Sequence, residues 1–331
     1  MIMWLTGNSV VFLVEDELMR EAIRLEQMYY SEKSWRTRSS QIRRYEKFCY
    51  IQEVMPFPLK RDILRKYIAY LCKDLAYSSI QQYISAILVL AKMLGHQEET
   101  RETLGLQWIL GGVRRFKGDF VNPATGIFPE DLLKIKGFLD LSIPEDLGFW
   151  VCCLIMFRTL LRGSNVLDSD FCILREDVEF FDWGVVFKVY RTKTIQFKER
   201  ILSIPVAEVV GHPLCLVAVL KQLMRLNGGK VKAPLVGWLA GKVYKPAKYA
   251  WFVKKLKKTC SLFGKSGKLG THSFRHGGAV TLAMLGVSLP EIQTRGDWKS
   301  LCVLRYLNRP FKNLVCEEKK WSKGLLDFIV T

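Results

Sequence analysis

The sequence predicts a mainly α-helical protein of two domains with one small antiparallel β-sheet. Three observations predict it. Apolar residues recur at helical spacing through residues 31–117. A Gly- and Pro-rich stretch, GDFVNPATGIF at 118–128, breaks that pattern and marks a linker. Residues 178–204 then change character, with β-branched and aromatic runs between very apolar helical segments. The organisation expected is an N-terminal extension helix (1–30), a helical domain (31–118), a linker (119–128), a second domain holding the sheet (129–310) and a tail helix (311–331).

Residues 15–30 read as an acidic amphipathic helix. In the first domain, helices are expected at about 33–50, 59–75, 78–94 and 99–116. The third of these opens with Ser78 and Gln81, a capping-box pair, and closes at Gly95. Its apolar positions Ile80, Ile84, Ile87, Leu88, Ala91 and Leu94 share a helical face. Pro129 suits the first position of the next helix. Residues 146–162 form a very apolar helix ending at Arg162 and Gly163. GVVFKVY (184–190) and ILSIP (201–205) are the strands, and from about 213 the chain is expected to be helical to its end.

With 331 residues the chain is long enough for a sizeable core, and 49% hydrophobic with 25% charged residues excludes a disordered polymer. The formal net charge of +18 points to a polyanionic partner, nucleic acid before an anionic membrane surface. The excess is uneven. Residues 1–120 hold 18 basic and 14 acidic residues, and 121–331 hold 32 and 18. Residues 242–268 carry nine lysines and no acid, interleaved with Tyr244, Tyr249, Trp251 and Phe252. No run reaches the ~18–20 apolar residues of a membrane span. The apolar start lacks a basic flank, runs into Glu15, Asp16 and Glu17, and is not read as a signal peptide. Nine scattered cysteines without a C-x-x-C pair fit free thiols in a reducing, intracellular compartment and no structural zinc.

The chain has four histidines, and THSFRHGGAV (271–280) uses two of them, His272 and His276, around Arg275. Three readings are open for this stretch taken alone: a capped helix start with Thr271 or Ser273 as cap, a zinc site using the two histidines four apart, or an anion site built from a helix N-terminus, an arginine and imidazoles. The surrounding segments narrow the choice. MFRTLLRGSNVLDSD (156–170) supplies Arg162, YRTKTIQFKER (190–200) supplies Lys193 between the strands, and GDWKSLCVLRYLNRP (296–310) supplies Trp298 and Tyr306.

As a set, these motifs resemble the tyrosine recombinases of the phage-integrase type, and most of all the versions carried by eukaryotic mobile elements, the DIRS-like retrotransposons and Cryptons. The resemblance covers roughly residues 31–310. It implies a helical core-binding domain followed by a mixed catalytic domain. It places the family's two arginines on Arg162 and Arg275, its hairpin lysine on Lys193, its first motif histidine on His272, its His-or-Trp position on Trp298 and its nucleophile on Tyr306, with His276 as a support to the site. Two features depart from the commonest bacterial pattern: Asn165 stands where an acid usually follows three residues after the first arginine, and eight residues rather than nine separate Trp298 from Tyr306. Both resemble the eukaryotic branch.

The chemistry is coherent on its own terms. Conserving the energy of a cleaved phosphodiester calls for a covalent enzyme–phosphate bond, which a tyrosine can form. Its phenol, with a pKa of about 10, needs assistance. Arg162 and Arg275 would clamp the non-bridging oxygens, His272 would take or share a proton, Lys193 would protonate the departing 5′ oxygen, and Trp298 would donate its indole N–H. No metal or cofactor is called for. The expected partners are double-stranded DNA and further copies of the chain, a dimer on each site and a tetramer in synapsis. Trp35, Arg36, Arg38, Arg43 and Arg44, with Lys245, Lys248 and Lys254, are the expected DNA contacts. The KKLKK run at 254–258 suits nuclear import, and nuclear localisation is expected. Trp321, Leu325, Leu326 and Phe328 give the tail an apolar anchor for its own domain or a neighbour. The rival readings are a type IB topoisomerase and a domesticated DNA-binding protein that no longer cuts.

Overall fold

A computed structural model of the chain describes the backbone of residues 3–6 and 9–12, and residues 16–96, 98–119, 124–197, 199–227, 232–300 and 303–304. The chain divides into two compact units, Met1–Val121 and Asn122–Thr331.

The first unit begins with an antiparallel pair, β1 (Met3–Thr6) and β2 (Ser9–Phe12). Five helices follow: α1 (Glu17–Gln27), α2 (Glu32–Ile51), α3 (Arg61–Cys72), α4 (Tyr77–Met93) and α5 (Gln107–Lys117). Ser31 starts α2 by accepting the Ser34 N–H at 3.3 Å. The core forms where the apolar stripes of α2, α3 and α4 meet. Tyr45 and Phe48 pack on Tyr67 with ring centroids 5.0 Å apart, above Leu64, Ile68, Ile80, Ile84 and Ile87.

The second unit is built around one helix. After α6 (Pro129–Gly137) comes α7 (Pro144–Thr159), which from Leu147 to Phe157 is apolar on every side and buried, as such a composition requires. A one-turn helix α8 (Gly163–Val166) leads through a 3₁₀ turn at Arg175–Asp177 into β3 (Val178–Phe181), β4 (Gly184–Val189) and β5 (Leu202–Ala207). These strands form an antiparallel sheet in the order β3-β4-β5, in which Val189 pairs with Leu202. The segment between those two residues is therefore a loop at one end of the sheet. Then come α9 (Leu216–Leu226), a second antiparallel pair β6 (Gly237–Ala240) and β7 (Val243–Pro246), α10 (Tyr249–Ser261), α11 (Thr271–Met284) and α12 (Leu289–Arg295).

Five elements differ from the sequence expectation. Residues 3–6 and 9–12, expected within an N-terminal extension helix over 1–30, pair as the strands β1 and β2. The helix expected at about 99–116, α5, begins at Gln107 and not near 99, because Thr100 and Thr103 hydrogen-bond to each other's backbone N–H at 2.8 and 3.1 Å and Gly105 turns left-handed at φ 59°. The helix expected from Ser78 begins one residue earlier behind Ala76, and Gln81 donates to the Tyr77 hydroxyl (2.9 Å) and forms no capping box. The stretch after 213 is not all helical: Gly241, at φ 63°, turns the chain between β6 and β7. The apolar helix expected to run to Arg162 stops at Thr159.

Helix α11 crosses its neighbours at van der Waals limits. A Cβ on Gly277 would lie 1.7 Å from the Ile127 carbonyl oxygen, and one on Gly278 would lie 2.4 Å from the Phe157 carbonyl oxygen. No side chain fits, and both clashes are with backbone. Gly277→Ala is expected to lower the stability of the second unit by about 3 kcal/mol and its thermal midpoint by roughly 6–12 °C, measured by calorimetry or circular dichroism of the purified chain.

Candidate active site

Arg162 is delivered by the end of α7. The Thr159 hydroxyl donates back to the Ile155 carbonyl (2.6 Å), and Leu160 then adopts the left-handed conformation at φ 57°. The chain leaves the helix and runs extended into Arg162, the residue that precedes α8. Arg162 therefore sits on a loop over the helix end. Gly163 lets that loop approach α11: a Cβ there would meet Thr271 Cγ2 at 2.6 Å.

The facing helix starts at Thr271 behind an extended Gly270, whose N–H donates to Ser273 Oγ (3.1 Å). Ser273 thus closes the helix end, while Thr271 is its first turn. His272 stands solvent-accessible on that turn. Desolvation by the surrounding protein, and then repulsion from Arg275, Arg162, Lys193 and Lys268, lower its pKa. These four cations come from three separate stretches of sequence, and the fold gathers them around one imidazole.

Arg275 is the innermost cation, with only 2% of its surface exposed. It donates to the carbonyls of Leu160 and Gly296, the latter at 2.5 Å. Its guanidinium carbon lies 3.7 Å from the centre of the Trp298 ring. Trp298 is buried in turn against Leu160, Ala279, Ile292 and Val303. Through these bonds Arg275 also ties the end of α7 to the turn after α12.

The loop between β4 and β5 carries Lys193, exposed and close enough to His272 to repel its proton. Thr192 and Thr194, on either side of Lys193, both donate to the carboxylate of Asp297, Thr192 at 2.6 Å. Arg200 donates to the same carboxylate, and Arg162 Nη1 lies 3.7 Å from it. Sequence reasoning assigned nothing to Asp297, Thr192, Thr194 or Arg200. Asn165, the position where an acid was missing, donates to the carbonyls of Phe171 (3.1 Å) and Arg191 (2.7 Å) and so braces the entry of the lysine loop.

Tyr306 and the tail lie outside the described residues. His276 faces the entering segment: its Nδ1 pairs with the Ala124 carbonyl (2.7 Å) and its ring meets Phe128 edge-on. It fastens the segment that enters the second unit. Of the expected DNA contacts, Arg36, Arg43, Lys245, Lys248 and Lys254 are exposed. Arg36 pairs with Glu32, Arg38 lies over the Tyr30 ring at 4.3 Å, and Arg44 lies over Tyr70 and Tyr83 and 3.5 Å from Asp74. Trp35 donates its indole N–H to the Gln27 carbonyl (2.5 Å), a link between α1 and α2. Lys255 pairs with Asp146, so one lysine of KKLKK is engaged within the unit. No helix among the described residues is long and apolar enough to cross a membrane.

No protein-family model matches the chain. It is 23% identical over 297 residues to the recombinase Cre of Escherichia phage P1, a match covering 84% of each chain. Among solved structures it is similar to the integrase of transposon Tn1549 in complex with transposon right-end DNA, at 14% identity and TM-score 0.63, over 92% of this chain and 98% of that one. A λ integrase dimer bound to a core site matches at 13% identity and TM-score 0.61, over 88% and 94%. The XerH recombinase bound to its difH substrate matches at 14% identity and TM-score 0.58, over 86% and 78%. The fold is that of the tyrosine recombinases: mainly helical, with small antiparallel sheets.

Because the folded protein holds the His272 pKa below the ordinary imidazole value of about 6.5, the ring is neutral at pH 7. Between the folded and unfolded pKa values the unfolded chain binds the extra proton. This group's contribution to stability is therefore complete above about pH 6.5 and is lost as pH falls below it. A proton NMR titration, with the His272 signal assigned by its loss in His272→Gln, is expected to give a midpoint below that of a model imidazole.

Proposed function

We propose that this chain is a site-specific DNA recombinase that cuts and rejoins strands through a phosphotyrosine bond. One observation carries the reading: on a fold shared with recombinases, Arg162, Lys193, His272 and Arg275 converge on the N-terminus of α11. A phosphodiester placed there would meet positive charge from Arg162 and from the helix end, with Arg275 adding its field from beneath. Neutral His272 would receive or share the phenolic proton as the Tyr306 oxygen attacks phosphorus. The bond from phosphorus to the 5′ oxygen breaks, and Lys193 gives that oxygen its proton. Attack by another strand's 5′ hydroxyl reverses the step and frees the tyrosine. These residues supply the proton transfers and the charge compensation the step needs.

The first unit and the lysine-rich face of the second would hold the DNA backbone, chiefly through Arg43, Lys245, Lys248 and Lys254, which are exposed. Cutting and rejoining two duplexes needs one nucleophile per strand, so the acting species is an oligomer: a dimer on each site and a tetramer when two sites pair. The similar λ integrase, a dimer on its core site, supports this. Asn165 and the eight-residue spacing from Trp298 to Tyr306 support a eukaryotic mobile element, of DIRS-like or Crypton type, as the DNA moved. A nuclear site of action follows from that reading, with Lys254, Lys257 and Lys258 exposed for import. The tail helix would dock on its own domain or pass to a neighbour.

The test is a covalent adduct. The protein is incubated with nicked duplex bearing the terminal repeats of its own locus, and SDS-resistant protein–DNA species are resolved. An adduct that forms with the wild type and disappears in Tyr306→Phe is expected. Salt-sensitive binding with no adduct on any terminal repeat would instead indicate a DNA-binding protein that has lost catalysis.

A further inference from the structure

We infer that Asp297 is a positioning residue that holds Lys193 in reach of the reacting phosphate. The inference rests on the recombinase reading and deepens it.

The geometry is specific. Lys193 lies between two threonines, and both hydroxyls donate to the one carboxylate of Asp297. With its proton committed to Asp297, the Thr192 oxygen is oriented to accept the backbone N–H groups of Thr194 and Ile195, each at 3.0 Å. The carboxylate therefore orders the loop backbone on both sides of the lysine while leaving the lysine side chain outside, exposed. Arg200 binds the other carboxylate oxygen and closes the far end of the loop. Arg162 lies within ion-pair distance on the site side. The carboxylate is 2% exposed, so these bonds form with little competition from water.

The backbone at Asp297 supplies an independent argument. Helix α12 ends in a Schellman motif: Trp298 N–H donates to the Gln293 carbonyl (3.0 Å) and Asp297 N–H to the Thr294 carbonyl (3.1 Å). The left-handed position of that motif favours glycine, and Asp297 occupies it at φ 52°. The chain has a glycine one residue earlier, at 296, where φ is −86° and the left-handed conformation is not used. Asp297 thus stands at a left-handed position that glycine would fill at no steric cost, and it places a carboxylate there.

The test separates Lys193 from the other groups by the leaving group. An ordinary 5′ oxygen needs a proton as it departs. A bridging 5′ sulfur leaves as a thiolate, whose conjugate acid has a pKa of about 8.5, and needs none. Asp297→Asn keeps a residue tolerant of the left-handed conformation and removes the charge. With nicked duplex it is expected to lower the rate of Tyr306 adduct formation by about tenfold to a hundredfold, the cost of a displaced catalytic group. DNA affinity should stay within about threefold of wild type. With the 5′-bridging phosphorothiolate duplex, Asp297→Asn and Lys193→Ala should both return to within about threefold of the wild-type rate. Thr194→Val, which removes the Thr194 hydroxyl from the same network, should show the same pattern at smaller amplitude and serves where Asp297→Asn fails to fold. Hydrogen exchange of residues 192–200 should quicken in Asp297→Asn. An unchanged cleavage rate, an equal defect on oxygen and sulfur substrates, or unchanged exchange in the loop overturns the inference. A wild type that forms no adduct on either substrate fails one step earlier, at the recombinase reading, and takes the inference with it.

Discussion

The site depends on one buried arginine. A guanidinium cannot lose its proton, so Arg275 can be interior only where carbonyls and ring faces receive its N–H groups and its charge. The Leu160 carbonyl is available because Leu160 leaves the helical conformation, and the Gly296 carbonyl because α12 ends there. The Trp298 face completes the cage. Removing any one of these would leave the buried guanidinium less well paired, which favours one arrangement of the end of α7, the middle of α11 and the turn after α12. Arg162 follows from this directly. Its loop begins at the residue whose carbonyl Arg275 holds, two positions upstream.

That arrangement also explains the pairing of glycines behind His276. For Arg275 to reach Leu160, α11 must lie against both α7 and the segment entering the unit. Gly277 and Gly278 remove the two Cβ atoms that would keep them apart. The entering segment is then fastened on the same side, by Thr125 N–H to the Lys268 carbonyl (3.1 Å), Ile127 N–H to the Ser273 carbonyl (2.9 Å) and the His276 ring to Ala124. The RHGG tetrapeptide thus does three jobs in sequence: it holds the α7 end, holds the entering segment and permits the close crossing.

The helical identity of α2, α3, α4 and α7 was legible because each buries a continuous apolar stripe or surface, and such stripes leave a period in the sequence. So was the grouping of Arg162, Lys193, His272, Arg275 and Trp298, since several residue types in one chain order constrain one another more than any does alone. Local competition was not legible. Thr100 and Thr103 bind each other's backbone and delay a helix whose periodicity looks continuous, and nothing in an apolar pattern reports that. Asp297 was missed for a different reason. It stands beside Trp298, and the tryptophan drew the assignment. Its signal was positional: an acid directly after a helix-ending glycine, in a stretch where almost every other charge is positive.

That scarcity of acid shapes the electrostatics of the site. In the proposed role the pocket needs uncompensated positive charge for a phosphodiester, yet gathering Arg162, Lys193, Lys268, Arg200 and Arg275 in one place costs repulsion while the site is empty. An acid within reach of the phosphate would relieve the repulsion and weaken binding. Asp297 meets both demands by being buried and by spending its oxygens on Thr192, Thr194 and Arg200, with Arg162 at 3.7 Å, too long for a direct hydrogen bond. Arg162 thereby feels a stabilising charge from below while its donors are not committed to that carboxylate. At position 165 the same acid would lack the amide N–H groups that Asn165 gives to the Phe171 and Arg191 carbonyls. Asparagine at 165 and aspartate at 297 are therefore complementary solutions to one requirement: a donor braces the start of the lysine loop, and a single acceptor fixes its tip.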